Sequence, residues 1–160
     1  MTYRDGRFWQ PDVTVATIVE RDGRFQLVEE TSQGRLVLNQ PAGHLEPNES
    51  LLQAAVRETL EESAWTVELT GFLGAFQWRA PDAAEGGSGR HYLRFAFIAN
   101  ALQHEPERPL DAGIERTVWL TREEIEASQD RLRSPLVLHV LQQYWDGNHF
   151  PLSLVGQLDQ

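Results

Sequence analysis

One stretch of the chain concentrates negative charge on one side of a predicted helix. Residues 43–65 read GHLEPNESLLQAAVRETLEESAW. In a helix of about 3.6 residues per turn, Glu58, Glu61 and Glu62 lie within one arc of roughly 100°. Crowding like charges costs free energy, and no lysine is present to relieve it. A hard divalent cation with oxygen ligands is therefore expected to neutralise the three carboxylates.

The same stretch contains the signals that delimit this helix. Ser50 and Gln53 match a capping box, in which each side chain satisfies the other residue's backbone amide. One arc of about 140° holds a mostly apolar face, formed by Leu52, Ala55, Val56, Thr59, Leu60 and Ser63. Because this face lies beside the carboxylates, the carboxylates are expected at the edge of the core.

The remainder of the chain predicts a mixed α/β fold. Alternating and β-branched segments predict strands at residues 13–20, 24–30, 35–38, 66–69, 72–79, 91–102 and 115–120. Helices are predicted at 121–128 and 134–144, and loops at 80–89 and 103–113. Proline and glycine interrupt regular structure at 39–43. The pattern favours one domain over residues 1–160, with helices packed on the faces of a mixed sheet.

Composition excludes several classes of function. The net charge is −10 and all 14 basic residues are arginine, so binding to a nucleic-acid polymer is not expected. A phosphate substrate would need a bound metal and a few local arginines. With no cysteine, disulfides, thiolate metal sites and a cysteine nucleophile are excluded. No segment is apolar enough for a membrane span; we expect a cytoplasmic protein, and the sequence does not determine its oligomeric state.

The charged helix resembles a known signature. The signature of the Nudix hydrolases is matched by Gly43, Glu49, Arg57, Glu58, Glu61 and Glu62. The chain departs from it at Thr59 and Trp65, where aliphatic residues are usual, and at Ala64, where glycine is usual. Alanine adopts the left-handed helix cap at a higher cost than glycine, so a shifted helix exit is expected.

The resemblance extends over residues 11–152. The segments VTVATIVE, FQLVEET, LNQPAGHLE, FQWRAPD, YLRFAF and LRSPL are similar to the NudJ-type branch of the family. This resemblance implies a Nudix-type α/β/α sandwich with a mixed β-sheet. It also implies Mg²⁺-dependent hydrolysis of nucleoside di- and triphosphates or of thiamin-related pyrophosphates, including hydroxymethylpyrimidine pyrophosphate, with Mn²⁺ able to substitute.

Metal and catalytic roles follow from the resemblance together with charge chemistry. Glu58, Glu61 and Glu62 are the predicted metal ligands, and the Gly43 carbonyl is expected to complete a site. Glu61 and Glu62 are also the predicted catalytic carboxylates. Metal ions between carboxylates and phosphate oxygens neutralise developing charge and activate water.

The other predicted roles leave alternatives open. Glu49 and Arg57 form either an orienting ion pair or an ordinary surface pair. Glu115 is the candidate general base, Glu46 is a weaker one, and activation of water by metal alone is the alternative.

Substrate contacts are expected from residues around the predicted strands. Arg79, Arg90 and Arg94 are candidates for phosphate binding. Arg94 lies on an otherwise apolar strand and needs a partner, which is either substrate phosphate or an internal carboxylate. Trp78 or Phe76 either stacks on a substrate ring or packs in the core. Gln40 and His44 flank the Pro-Ala-Gly turn and are expected to face the substrate.

Two alternatives to the nucleotide or thiamin-related substrate remain. One is a Nudix hydrolase of ADP-ribose or dinucleoside polyphosphates. The other is a non-catalytic nucleotide sensor on the same fold, although such sensors usually lose the signature glutamates that this chain retains.

Overall fold

The computed structural model describes residues 9–158. The strands are β1 (Asp12–Arg21), β2 (Arg24–Ser32), β3 (Arg35–Asn39), β4 (Ala42–His44), β5 (Trp65–Arg79), β6 (His91–His104) and β7 (Ile114–Leu120). The helices are α1 (Leu51–Ser63), α2 (Arg122–Glu126) and α3 (Pro135–Trp145). Short 3-10 turns cover Ala83–Glu85, Gln129–Arg131 and Leu152–Leu154.

The strands form a mixed sheet, as the sequence predicted. Strand β1 runs parallel to β6 and antiparallel to β4, and β6 pairs antiparallel with β5. Strand β2 lies between β3 and β7 and pairs antiparallel with both. The β1–β2 hairpin joins these two halves at its outer end. Within the described residues, no helix is long and apolar enough to cross a membrane.

Helices cover both faces of the sheet. Helix α1 packs on one face, where Ala54 and Ala55 contact Val15 of β1 and Phe97 of β6. Helices α2 and α3 cover the other face, in a cluster of Ile18, Ala96, Ile98, Ile125, Val137, Val140 and Leu141. Because β1 is buried on both sides, its sequence is a nearly continuous apolar run rather than an alternating one. The α/β/α sandwich is therefore confirmed.

Two strand predictions were wrong. The break predicted at Gly71 does not exist, because β5 runs continuously from Trp65 to Arg79. Its pairing with β6 shifts register next to Gly71 and Gly74; these bulges absorb extra residues without ending the strand. The segment predicted as irregular before the helix contains β4, which pairs Gly43 with Val15.

The ends of α1 are well defined. The predicted capping box is confirmed: Ser50 Oγ accepts from the Gln53 amide at 3.0 Å, and Gln53 Oε1 accepts from the Ser50 amide at 2.8 Å. The predicted shift of the helix exit was wrong. Ala64 itself adopts the left-handed conformation, with φ of 58°, and donates to the Leu60 carbonyl. This conformation costs an alanine about 1–2 kcal/mol, and burial of the Ala64 methyl group offsets part of that cost.

A buried hydroxyl pair explains the threonine at an aliphatic signature position. Thr59 is 0% exposed, and its Oγ1 lies 2.7 Å from Thr17 Oγ1 on β1. Thr59 Oγ1 also donates to the Ala55 carbonyl at 2.7 Å. Since a hydroxyl has a single proton, Thr17 is the donor within the pair. The two residues therefore replace an apolar contact between α1 and β1 with a hydrogen bond.

This assignment predicts unequal effects of removing the two hydroxyls. Thr59→Val leaves the Thr17 donor buried without an acceptor, so we expect a loss of about 1–3 kcal/mol in the free energy of unfolding. Thr17→Val leaves the Thr59–Ala55 bond intact and is expected to cost less. The double variant is expected to be more stable than Thr59→Val alone. Urea denaturation of the three variants measures these differences, and equal losses from both single changes would contradict the assignment.

Candidate active site

The carboxylates of α1 lie at the wall of a large cavity. The cavity has a volume of about 900 Å³, and Gly43, Glu58 and Glu62 are among its lining residues. Glu58 and Glu62 are each only 8% exposed, and Glu61 is partly exposed. The helix therefore presents its charged side next to the core, where water screens the charges less effectively than at an open surface.

Arg57 connects this helix to the loop before it. Its Nε and Nη2 donate to the two carboxylate oxygens of Glu49 at 2.9 and 2.7 Å, and Nη2 also donates to the His44 carbonyl. Its Nη1 donates to Glu58 at 2.8 Å and to Glu61 at 2.9 Å. The Arg57 hydrogen bonds hold the pKa of Glu49 below its usual value. One guanidinium thus orients three carboxylates.

Glycine at position 43 allows the close approach of Glu58. A Cβ atom built on Gly43 would lie 2.1 Å from the carboxyl carbon of Glu58. No side chain fits there unless the Glu58 carboxylate moves. Strand β4 places this backbone against the carboxylate by pairing with β1.

Glu62 is held differently from its neighbours. Its Oε2 accepts from the backbone amide of Ala42 at 2.9 Å. Burial raises the pKa of Glu62 to about 8, and the nearby charges of Glu30, Glu58 and Asp111 act in the same direction. Burial also raises the pKa of Glu58, even though Arg57 opposes the shift. A bound cation would favour the ionised form of both groups.

The structure adds Asp111 to the predicted carboxylates. One oxygen from each of Glu58, Glu61 and Asp111 lies within 4.8 Å of the other two. The Asp111 amide donates to the Glu61 carbonyl at 3.1 Å, which fixes the loop beside the end of α1. Asp111 belongs to a segment predicted only as a loop, and no spacing in the sequence indicates its approach.

These residues fit a divalent metal. Carboxylate oxygens are the ligands that Mg²⁺ and Mn²⁺ take, and Mg²⁺ usually needs only one or two protein carboxylates. Gly43 leaves room for the Glu58 carboxylate, and a bound cation would stabilise these buried carboxylates of like charge. Glu58, Glu61, Glu62 and Asp111 together supply enough oxygens for more than one ion.

The predicted substrate residues lie in different environments. His44 lines the cavity and hydrogen-bonds Asp12 through Nε2 at 3.1 Å. Gln40 is fully buried and donates to the Val137 carbonyl at 2.7 Å; it is not among the lining residues. Arg79 forms an exposed ion pair with Asp82 and also lies outside the lining.

The two aromatic candidates, Trp78 and Phe76, lie in different surroundings. Trp78 lines the cavity and stacks on Tyr92, with ring centroids 5.7 Å apart and 15° between the planes. Phe76 packs against the core and contacts the edge of His139. Tyr92 was not among the predicted site residues; the register of β5 and β6 brings it beside Trp78.

The two candidate bases also differ in position. Glu115 is exposed and accepts from Thr31 Oγ1 at 3.0 Å. It is outside the cavity lining, although Thr31 belongs to it. Glu46 lines the cavity and has a carboxylate oxygen 3.9 Å from Arg57. Two of the arginines proposed for phosphate binding, Arg90 and Arg94, line the cavity as well.

Comparison with known proteins agrees with the signature and the fold. A family model described as NUDIX domain matches residues 9–141. Phosphatase NudJ from Escherichia coli (strain K12) and from Shigella flexneri are each 39% identical over 151 residues, which cover 94% of this chain and 94% of theirs. A solved NUDIX hydrolase from Nitrosomonas europaea is 40% identical with a TM-score of 0.87, covering 93% of this chain and 98% of that one.

The family match covers most of the chain, and the alignments cover nearly the full length of the similar proteins. The carboxylates, the cavity and the fold agree with what a phosphoanhydride hydrolase of this family requires. This chain belongs to the Nudix hydrolase family and is an enzyme that hydrolyses phosphorus-containing acid anhydrides.

Proposed function

We propose that this enzyme is a Mg²⁺-dependent pyrophosphohydrolase, with Mn²⁺ able to replace Mg²⁺. Its substrates are nucleoside di- and triphosphates or thiamin-related pyrophosphates such as hydroxymethylpyrimidine pyrophosphate. The observation that carries this proposal is the convergence of Glu58, Glu61 and Asp111 within 4.8 Å, beside buried Glu62. The similarity to proteins named Phosphatase NudJ supports the same substrate class. The cytoplasmic location and the single domain over residues 1–160 remain predictions.

Within this proposal the chain's own residues hold and orient the reacting groups. Glu58, Glu61, Glu62 and Asp111 would hold the metal, and Gly43 leaves room for the Glu58 carboxylate. When bound, the metal supplies charge neutralisation at the phosphate oxygens and activation of water. Arg57 keeps Glu58 and Glu61 in position through its two Nη1 hydrogen bonds.

The remaining cavity suits an organic group with phosphates attached. Trp78 and Tyr92 provide stacked aromatic surface at the wall of the cavity, and planar rings bind well to such surfaces. We retain Glu61 and Glu62 as the proposed catalytic carboxylates. The role of Glu115 as general base stays a prediction; its carboxylate accepts a hydrogen bond from Thr31, which lines the cavity, but Glu115 itself does not line it.

A substrate panel tests the proposal directly. Nucleoside di- and triphosphates, hydroxymethylpyrimidine pyrophosphate, ADP-ribose and a dinucleoside polyphosphate are compared in Mg²⁺ by chromatographic separation of their products. Product separation is needed because ADP-ribose and dinucleoside polyphosphates are cleaved into two organic phosphates without release of phosphate or pyrophosphate. We expect turnover to be fastest in the first two groups. Faster turnover of ADP-ribose or of the dinucleoside polyphosphate would replace the proposed substrate class, and nucleotide binding without any turnover would identify a sensor.

Replacing Glu62 tests the carboxylate chemistry. Glu62→Gln keeps an oxygen that can accept from the Ala42 amide but removes the negative charge. We expect kcat to fall about 100-fold, or about 2.7 kcal/mol of transition-state stabilisation, and chelation of metal from the wild type to abolish turnover. Glu68→Gln, an exposed change on β5, is the control and should retain activity. Turnover that survives both Glu62→Gln and chelation would contradict the mechanism.

Replacing Gly43 tests the close approach of Glu58 independently of charge. In Gly43→Ala the new Cβ forces the Glu58 carboxylate away, so we expect the Mg²⁺ or Mn²⁺ concentration for half-maximal activity to rise about tenfold or more. Gly156→Ala introduces a Cβ with no atom within 4 Å and is the matched control. An unchanged metal requirement in Gly43→Ala would remove Glu58 from the metal site; direct Mn²⁺ binding measurements provide a second readout.

A further inference from the structure

Arg94 is a buried cation with no ion-pair or hydrogen-bond partner among the residues that the structure describes. It lies on β6, paired in register with Thr14 of β1, and both residues line the cavity. Arg94 is 7% exposed, and its Nε and Nη1 are buried atoms with no hydrogen-bond acceptor among the described residues. The Thr14 hydroxyl is likewise buried and unpaired. Burying a charge without a partner costs several kcal/mol, so this arrangement requires a reason.

The nearby carboxylates already have other donors. Glu62 accepts from the Ala42 amide, and Glu30 forms an ion pair with Arg133. Within residues 9–158, no carboxylate oxygen forms a salt bridge with Arg94 at 4.0 Å or less. Burial lowers the pKa of Arg94 to about 10, and the charge of Arg133 acts in the same direction. The Arg94 guanidinium is thus close to a second guanidinium and lacks an anion of its own.

The N-terminus of α3 borders the same cavity. Arg133, Ser134, Pro135 and Leu136 all line the cavity. Ser134 is the N-cap residue of this 11-residue helix, and its side chain makes no capping hydrogen bond. The unpaired amides at a helix N-terminus carry partial positive charge and favour anions. Two arginines and a helix N-terminus therefore border one cavity, which Glu30, the ion-pair partner of Arg133, also lines.

We propose that Arg94, Arg133 and the N-terminus of α3 form a phosphate subsite, which holds the substrate phosphate next to the one engaged at the α1 carboxylates. The Thr14 hydroxyl is a further donor to the same phosphate. This inference rests on the proposed function and assigns the two phosphoryl groups of the anhydride to separate positions, one at the α1 carboxylates and one at Arg94. The neighbouring charge of Glu62 in the environment of Arg94 agrees with adjacent subsites.

A purely structural role for Arg94 makes the opposite predictions. If the guanidinium stabilised the fold, its removal would lower the melting temperature. As a ligand-binding group without a protein partner, it stabilises nothing until the phosphate binds. We therefore expect Arg94→Met, which keeps an unbranched apolar side chain in the same space, to have an unchanged or higher melting temperature.

The test measures binding of methylenediphosphonate, a pyrophosphate analogue that cannot be hydrolysed, in the presence of Mg²⁺. Calorimetry gives the dissociation constant for the wild type and for three variants: Arg94→Met, Arg94→Lys and the control Arg24→Met. Arg24 pairs with Glu124, at the opposite end of β2 from Glu30. We expect the dissociation constant to rise about tenfold or more in Arg94→Met, to rise less in Arg94→Lys, and to stay unchanged in Arg24→Met.

Two results would overturn the subsite. One is binding by Arg94→Met within twofold of the wild type; the other is equal weakening by Arg24→Met, which would indicate general charge attraction. Because turnover is not needed, the test separates this inference from the proposed function. Binding that depends on Arg94 without turnover of any panel substrate would refute the proposed function alone. Turnover with unchanged binding in Arg94→Met would refute the subsite alone.

Discussion

The hydrogen bonds of Arg57 are the interaction on which the rest of the site depends. A single guanidinium joins Glu49 in the loop to Glu58 and Glu61 on the helix, and it also binds the His44 carbonyl at the end of β4. Two carboxylates that would repel each other are thereby held on the same side of α1. The partial burial of this network reduces screening by water, so its geometry is better defined than that of a surface ion pair. Arg57 does not neutralise Glu62, which leaves negative charge for a metal.

Sequence periodicity predicted this part of the site because its members lie on one helix. Helical spacing places Glu58, Glu61 and Glu62 on one side, and the capping box at Ser50 sets the start of that helix. Asp111 joins them through a loop whose path depends on tertiary hydrogen bonds, such as that from its amide to the Glu61 carbonyl. No local pattern encodes such an approach. The same limit applies to Tyr92, which reaches Trp78 through strand register.

The errors in predicting where a strand and a helix end also come from relying on local preferences. Glycine was interpreted as a terminator at position 71, whereas β5 uses it at a bulge inside a continuous strand. Ala64 was expected to displace the helix exit, but the chain accepts the left-handed conformation at this residue and buries its methyl group. In both cases a local preference of about 1–2 kcal/mol is outweighed by packing of the whole strand or helix. Thr59 shows the opposite effect. It places a hydroxyl where the family signature has an apolar side chain, and the Thr17 hydroxyl on β1 hydrogen-bonds to it.

Two buried groups of opposite charge at the cavity, Glu62 and Arg94, are not paired with each other. Glu62 is buried with its pKa raised, and Arg94 is buried with its pKa lowered, yet the two form no salt bridge within the described residues. Direct pairing would offset part of both desolvation penalties. The observed separation leaves the carboxylate available to a cation and the guanidinium available to an anion. A polyphosphate with its metal ion carries both kinds of charge, and its binding would compensate both groups at once.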